Sequence, residues 1–193
     1  MKEDRDLAEY IYKVETLTNL KNHEFKKIRR ELHKFFHDYG DRCTIEKITP
    51  KHFDEILNVQ KEWFSQKTSV NHDPDYIKAL SIENEYINNV FLENFEALGL
   101  CGIVLLIDKK VKGYFVGAPL SENCVDGIAI KTDRNIPHIS KVLMNEFVKI
   151  CCKGYEYLNM EEDLGFEGLR NFKLILKPEF LINKFILTET EAK

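Results

Sequence analysis

Between residues 22 and 39, NHEFKKIRRELHKFFHDY, apolar positions return at helical spacing and set Phe25, Ile28, Leu32, Phe35, Phe36 and Tyr39 on one face. Lys26, Lys27, Arg30, His33, Lys34 and His37 fall on the opposite face, so an amphipathic helix with a basic outer side is expected. The pattern then shortens. Cys43 to Ile48 reads as a strand and is followed by two helices. The first runs from Pro50 to about Lys67, with Phe53, Ile56, Leu57, Trp63 and Phe64 on its apolar side. The second opens in HDPDY, where Asp73 caps and Pro74 suits the first turn, and it closes at Gly99. Its aromatic residues, Tyr76, Tyr86, Phe91 and Phe95, are assigned to the core.

From residue 100 the period becomes that of strands. LCGIVLLIDKKVKGYFVGAPL reads as a hairpin turned at Asp108-Lys109-Lys110, and CVDGIAIKT as a third strand. Pro137 to Cys152 is helical, Tyr155 to Asn159 a strand, Gly165 to Leu176 mostly helical, and Lys184 to Thr188 a last strand. The hairpin and the strand-helix-strand unit ending at Asn159 predict one mixed sheet, with the last pairing parallel through a right-handed crossover and helices on both faces.

Composition bounds the class. A chain of 193 residues with 44% hydrophobic content can bury one sizeable core. The longest strongly apolar run, Cys101 to Ile107, is far short of the roughly 20 residues a membrane helix needs, and the N-terminus lacks the apolar core of a signal peptide. A cytoplasmic location is expected. Five cysteines without a C-x-x-C pair read as reduced thiols filling the core. His33 and His37 stand four apart, but Lys34 occupies the glutamate position of a metal-binding H-E-x-x-H, and no metal is expected. The net charge of -4 argues against general nucleic-acid coating, which makes the local excess of Lys and Arg from Lys21 to Lys34 stand out as an anion-binding ridge or a solvated face.

The stretch YEYLNMEEDLGFEGLRNFK gathers Glu161, Glu162 and Asp163 between a strand and a helix. Acids at such a junction can cap the helix, carry protons, or face water. Asp163 suits a cap for the helix that follows, while Glu161 or Glu162 could bind an acceptor amine or take its proton.

LNMEEDLGFEGLRNFK and FKKIRRELHKF resemble signatures of a family of unknown function related to the C-terminal domain of phosphatidylglycerol lysyltransferases, and the element order resembles the fold of GCN5-related N-acetyltransferases. Asn159, Glu161, Asp163, Leu164, Gly165, Gly168, Leu169 and Arg170 match the tail motif, whereas Met160 replaces an arginine. In the basic helix Arg30, His33 and Lys34 replace Asn, Asn and Arg. The resemblance implies an α/β (α+β) fold with a mixed central sheet flanked by helices. It divides the chain into an N-terminal segment, 1–40, and an acetyltransferase-like domain, 41–193, corresponding to the second half of a longer architecture. It also implies acyl or aminoacyl transfer with aminoacyl-tRNA as the donor. Lys27, Arg29, Arg30, Lys34, Arg170 and Asn159 would then contact substrate or phosphate, and Glu161, Glu162 or Asp133 would move protons or orient the acceptor. The loop KTDRNIPHIS has no glycine to cradle a pyrophosphate, so coenzyme A is not supported. Two other readings stay open: a binding module for tRNA or another phosphate-bearing ligand, and acetyl transfer through an atypical loop. A face covered by the missing half in longer relatives would be free for self-association.

Overall fold

The computed structural model describes residues 1–70 and 73–187. In chain order the elements are β1 (Lys2–Lys13), α1 (Val14–Asn19), α2 (Lys26–Tyr39), β2 (Cys43–Lys47), α3 (Phe53–Thr68), α4 (Pro74–Tyr86), β3 (Cys101–Ile107), β4 (Lys110–Pro119), β5 (Cys124–Thr132), α5 (Ile139–Cys151), β6 (Tyr157–Asn159), α6 (Glu167–Ile175) and β7 (Phe180–Ile186). Of the expected element limits, His72 and Thr188 lie outside the described residues.

The strands form one mixed sheet of order β2-β3-β4-β5-β6-β1-β7. The expected hairpin is present: Ile107 pairs Lys110 across Asp108 and Lys109, both left-handed (φ 51° and 63°), the conformation that a two-residue turn of right-handed twist requires. β3 is apolar at every position from Ile103 because both sides of it are covered. Ile103, Leu105 and Ile107 point into one core with Phe115, Val142, Leu143 and Phe147, while Val104 and Leu106 point into a second with Ile56, Val59, Tyr114 and Val116. α1, α2 and α5 pack on the first face, and α3 packs on the second.

β1 was not expected. Its first half, KEDRD, is charged and shows no strand period, and only Ala8, Tyr10 and Tyr12 alternate inward, each fully buried. The strand lies between β6 and β7 and pairs antiparallel with both, so residues 1–40 supply a strand and two helices to the same sheet and core as the rest of the chain. β7 is an edge strand, and Phe180, Ile182, Phe185 and Ile186 on it are exposed. Asp73 caps α4 as expected, accepting from the amides of Asp75 and Tyr76. No helix among the described residues is long and apolar enough to cross a membrane.

Candidate functional site

The site begins where two parallel strands part. β5 and β6 pair over only three positions, Cys124 with Tyr157, Val125 with Leu158 and Asp126 with Asn159. Beyond them β5 stays with β4 as far as Thr132, whereas the chain after Asn159 follows β1: the Met160 amide donates to Tyr10 O at 2.9 Å, and the Tyr10 amide to Glu161 O at 3.2 Å. The divergence opens a cavity of about 780 Å³ walled by β5, α3, α4, residues 160–169 and α6.

β5 also carries a bulge there. Between the pairs Val116 with Ala129 and Ala118 with Asp126, β4 has Gly117 alone while β5 has Gly127 and Ile128. Two residues facing one leave a backbone group without a ladder partner, and both Gly127 and Ile128 line the cavity. The close approach requires glycine on β4. A Cβ on Gly117 would stand 2.3 Å from Asp126 O.

Four acids gather beside the cleft, and two of them, Glu161 and Glu162, line it. Glu161 sits in a left-handed backbone (φ 55°) and lines the cavity. Its amide donates to Asn159 Oδ1 at 2.8 Å, and Asn159 Nδ2 donates to Glu9 at 2.8 Å. Burial, reinforced by Asp126 and Glu162, pushes the Glu161 carboxyl up to about 7. Burial and the charges of Glu9 and Glu162 likewise raise Asp126 to about 6, and its buried Oδ1 has no hydrogen-bond partner among the described residues. Glu162 and Glu9 share Lys184, at 3.3 and 2.6 Å. Lys173, itself buried, donates to the carbonyls of Met160 and Glu162. Burial lowers its ammonium to about 8 against the opposing pull of Glu161 and Glu162.

Asp163 does not cap α6. That helix follows Phe166 with no side-chain cap, because Asp163 is turned inward, fully buried. Its carboxylate accepts from Arg170 Nε at 2.9 Å, Arg170 Nη2 at 2.7 Å, the Tyr10 hydroxyl at 2.5 Å, Arg5 at 3.3 Å and the Gly165 amide at 2.9 Å. Burial favours the neutral acid, but these donors, Arg170 foremost, hold the group well below the usual carboxylate range. The knot ties the segment carrying Glu161 to β1 and α6.

The remaining expected site residues are dispersed. Asn159 and Arg170 support the acidic segment: the first holds Glu161 and Glu9, the second Asp163 and Asp6. Asp133 lies apart from the acids, paired with Lys112 at 3.2 Å and accepting from the Asn135 amide at 3.0 Å. On α2, Arg29 donates to the carbonyls of Leu20 and Asn22, while Lys27, Arg30 and Lys34 are exposed with no ion-pair partner among the described residues. None of the α2 residues lines the cleft. Tyr76, assigned to the core from the sequence, instead lines the cavity with its ring against Phe166, and Tyr86 is 55% exposed. Among the described residues, no three His, Cys, Asp or Glu side chains form a group able to hold a metal ion.

Asp126, Glu9 and Lys173 are the residues of this cluster that sequence reasoning missed. An acid within the apolar strand CVDGIAIKT, and a lysine at an inward position between Leu169 and Leu176, were the available signals. The loop joining β5 to α5 uses two of its own amides on Asp133, Asn135 N on the carboxylate and Ile136 N on the carbonyl. That loop contains no glycine.

A family model described as phosphatidylglycerol lysyltransferase, C-terminal, matches residues 1–188. The chain belongs to this family. A conserved protein of unknown function from Bacteroides thetaiotaomicron superposes with a TM-score of 0.84 at 30% identity, over 94% of this chain and 59% of that one. The L-PGS from Bacillus licheniformis superposes with a TM-score of 0.63 at 16% identity over the same shares. This lysyltransferase-family chain therefore spans 59% of the length of the two relatives. AAC(6')-Iy, solved in complex with the bisubstrate analog CoA-S-monomethyl-acetylneamine, shares the fold, with a TM-score of 0.51 at 14% identity over 78% of this chain and 99% of that one. The fold is that of the GCN5-related N-acetyltransferases. No curated protein sequence matches the chain.

Proposed function

We propose that the protein transfers an acyl or aminoacyl group from an activated ester to an amine or hydroxyl acceptor in the cleft between β5 and β6, with aminoacyl-tRNA as the donor and without coenzyme A. The observation that carries this reading is Glu161, an acid at the cleft wall with its carboxyl at about 7, the range in which a base works at neutral pH. Membership of a family whose description names a lysyltransferase supports an aminoacyl donor.

In this scheme the acceptor loses a proton to Glu161 as its nitrogen or oxygen attacks the ester carbonyl. The carbonyl π electrons move onto oxygen, and the scheme calls for a backbone N–H of the bulge at Gly127-Ile128, which lines the cleft, to receive that oxyanion. Collapse expels the donor's ribose oxygen, which takes the proton back from Glu161. Lys173 is a positioning residue: it ties Met160 O and Glu162 O, which flank Glu161. Transfer from an activated ester asks mainly for positioning and oxyanion stabilisation, so no nucleophilic side chain is needed.

The test is incubation of the chain with tRNA charged with radiolabelled amino acids, offering phosphatidylglycerol vesicles and a polyamine as acceptors. Label should move to an acceptor, and Glu161→Gln should reduce the rate roughly 10²- to 10⁴-fold with a melting temperature no lower than that of the wild type. If no charged tRNA donates while the cleft still binds a ligand, the protein is a binding module and the transferase reading falls.

A further inference from the structure

Another part of the cleft wall has the opposite charge. Lys67 of α3, Lys131 of β5 and Arg134 of the following loop all line it. Lys131 is buried, with its ammonium 2.7 Å from Glu83 and 4.1 Å from the centre of the Trp63 ring. Lys67 is half-buried on the same ring, at 5.5 Å. Among the described residues, neither Lys67 nor Arg134 has an ion-pair partner, so of the three cations only Lys131 is balanced, by Glu83. Burial lowers the Lys67 ammonium, and Arg134 and Lys131 lower it further: the site gathers positive charge that the protein leaves unbalanced.

We propose that Lys67, Lys131 and Arg134 hold a phosphate group of a substrate in this part of the cleft. The surplus is two positive charges, which suits a phosphate better than a single carboxylate, and Lys67 and Arg134 provide separate donors for different oxygens. The Trp63 ring is occupied by the two lysines, so the site selects the phosphate and not a stacked base. A ligand spanning the cleft would then place its phosphate here and its reacting group beside Glu161. This deepens the transferase reading and rests on it only in taking the cleft as the place where the substrate lies.

Trp63 is the sole tryptophan of the chain, so its emission reports on this part of the cleft alone. The full chain should be titrated with inorganic pyrophosphate, glycerol phosphate and ribose phosphate, none of which absorbs near tryptophan, with succinate as a dicarboxylate control. A saturable change is expected with at least one phosphate and none with succinate. Glycerol phosphate binding more tightly points to a lipid headgroup, and ribose phosphate to a nucleic-acid donor. Lys67→Gln and Arg134→Gln should each weaken binding by about tenfold or more, with far-UV dichroism confirming that both variants fold. The inference is overturned if no phosphate moves the emission, if succinate binds as well, or if binding survives both variants but is lost in Lys27→Glu/Arg30→Glu/Lys34→Glu, which would put the anion on α2. Aminoacyl transfer that is indifferent to Lys67 and Arg134 would sink this site and spare the transferase reading. Phosphate binding without any transfer would do the reverse.

Discussion

Replacing Asp163 by asparagine discriminates sharply between a helix cap and a buried ionic knot. A cap loses about 0.5–2 kcal/mol on removal and is largely rescued by asparagine, which still accepts from a backbone amide. In the structure the carboxylate accepts from Arg170 twice, from Tyr10, from Arg5 and from the Gly165 amide. Asparagine offers one oxygen and turns an NH₂ group toward arginine donors, so it cannot replace the second oxygen. Breaking one side of a buried pair costs roughly 3–5 kcal/mol. The lower end applies here because Arg170 keeps Asp6 at 2.6 Å and reaches solvent. Asp163→Asn and Asp163→Ala should therefore both destabilise by about 3 kcal/mol and lie within about 1 kcal/mol of each other. Urea unfolding followed by far-UV dichroism measures this from the midpoint and slope. The pH dependence has a definite sign. The folded carboxyl is held below its unfolded value, so the unfolded state binds more protons, and the stabilisation present above about pH 4 is lost as the solution is acidified. The wild type should show that loss, and Asp163→Asn should lack this part of it. An asparagine variant within 1 kcal/mol of wild type would refute the knot and restore the cap.

Glu161 carries the opposite sign. Its carboxyl is raised from 4.5 to about 7, so the folded state binds more protons between those values, and stability should fall by roughly 1–3 kcal/mol as pH rises through that window; Glu161→Gln should flatten this slope. Turnover, once a donor is in hand, should rise with pH to a plateau above about 7, and a profile flat from pH 5 to 8 would remove Glu161 as the base. Gly117→Ala puts a methyl 2.3 Å from Asp126 O and should cost about 1–3 kcal/mol while disturbing the bulge. A variant as stable as wild type would show that the bulge yields freely.

The legible part of the fold was the part whose residues carry one period and one environment. β3 and β4 announce a hairpin because β3 is apolar from Ile103 to Ile107, β4 is apolar from Tyr114 to Val116, and Asp108-Lys109 adopt left-handed geometry between them. The Asp73-Pro74 start of α4 needs only local hydrogen bonds. β1 was missed because its strand pairing comes from residues 157–186, while its own first half is charged and faces outward. The cleft acids were half legible. Glu161 and Glu162 stand together in the sequence, but Asp126, Glu9 and Lys173 join them only through the parting of β5 from β6. The role of Asp163 was misjudged for a related reason: a short-range cap can be read from one stretch, whereas Tyr10 and Arg5, more than 150 residues away, give no local sign.

The position of β1 inside the sheet also has a kinetic consequence. Ile11 faces Asn159 on one side and Phe180 on the other, so β1 has no sheet partner until nearly all of the described chain that follows it has been synthesised. Closing so long a loop is slow compared with forming the β3–β4 hairpin. The apolar residues Ala8, Tyr10 and Tyr12 would wait unpaired through most of translation, a period in which such surface is prone to aggregate. The charged KEDRD run ahead of them is well placed to keep that waiting strand soluble.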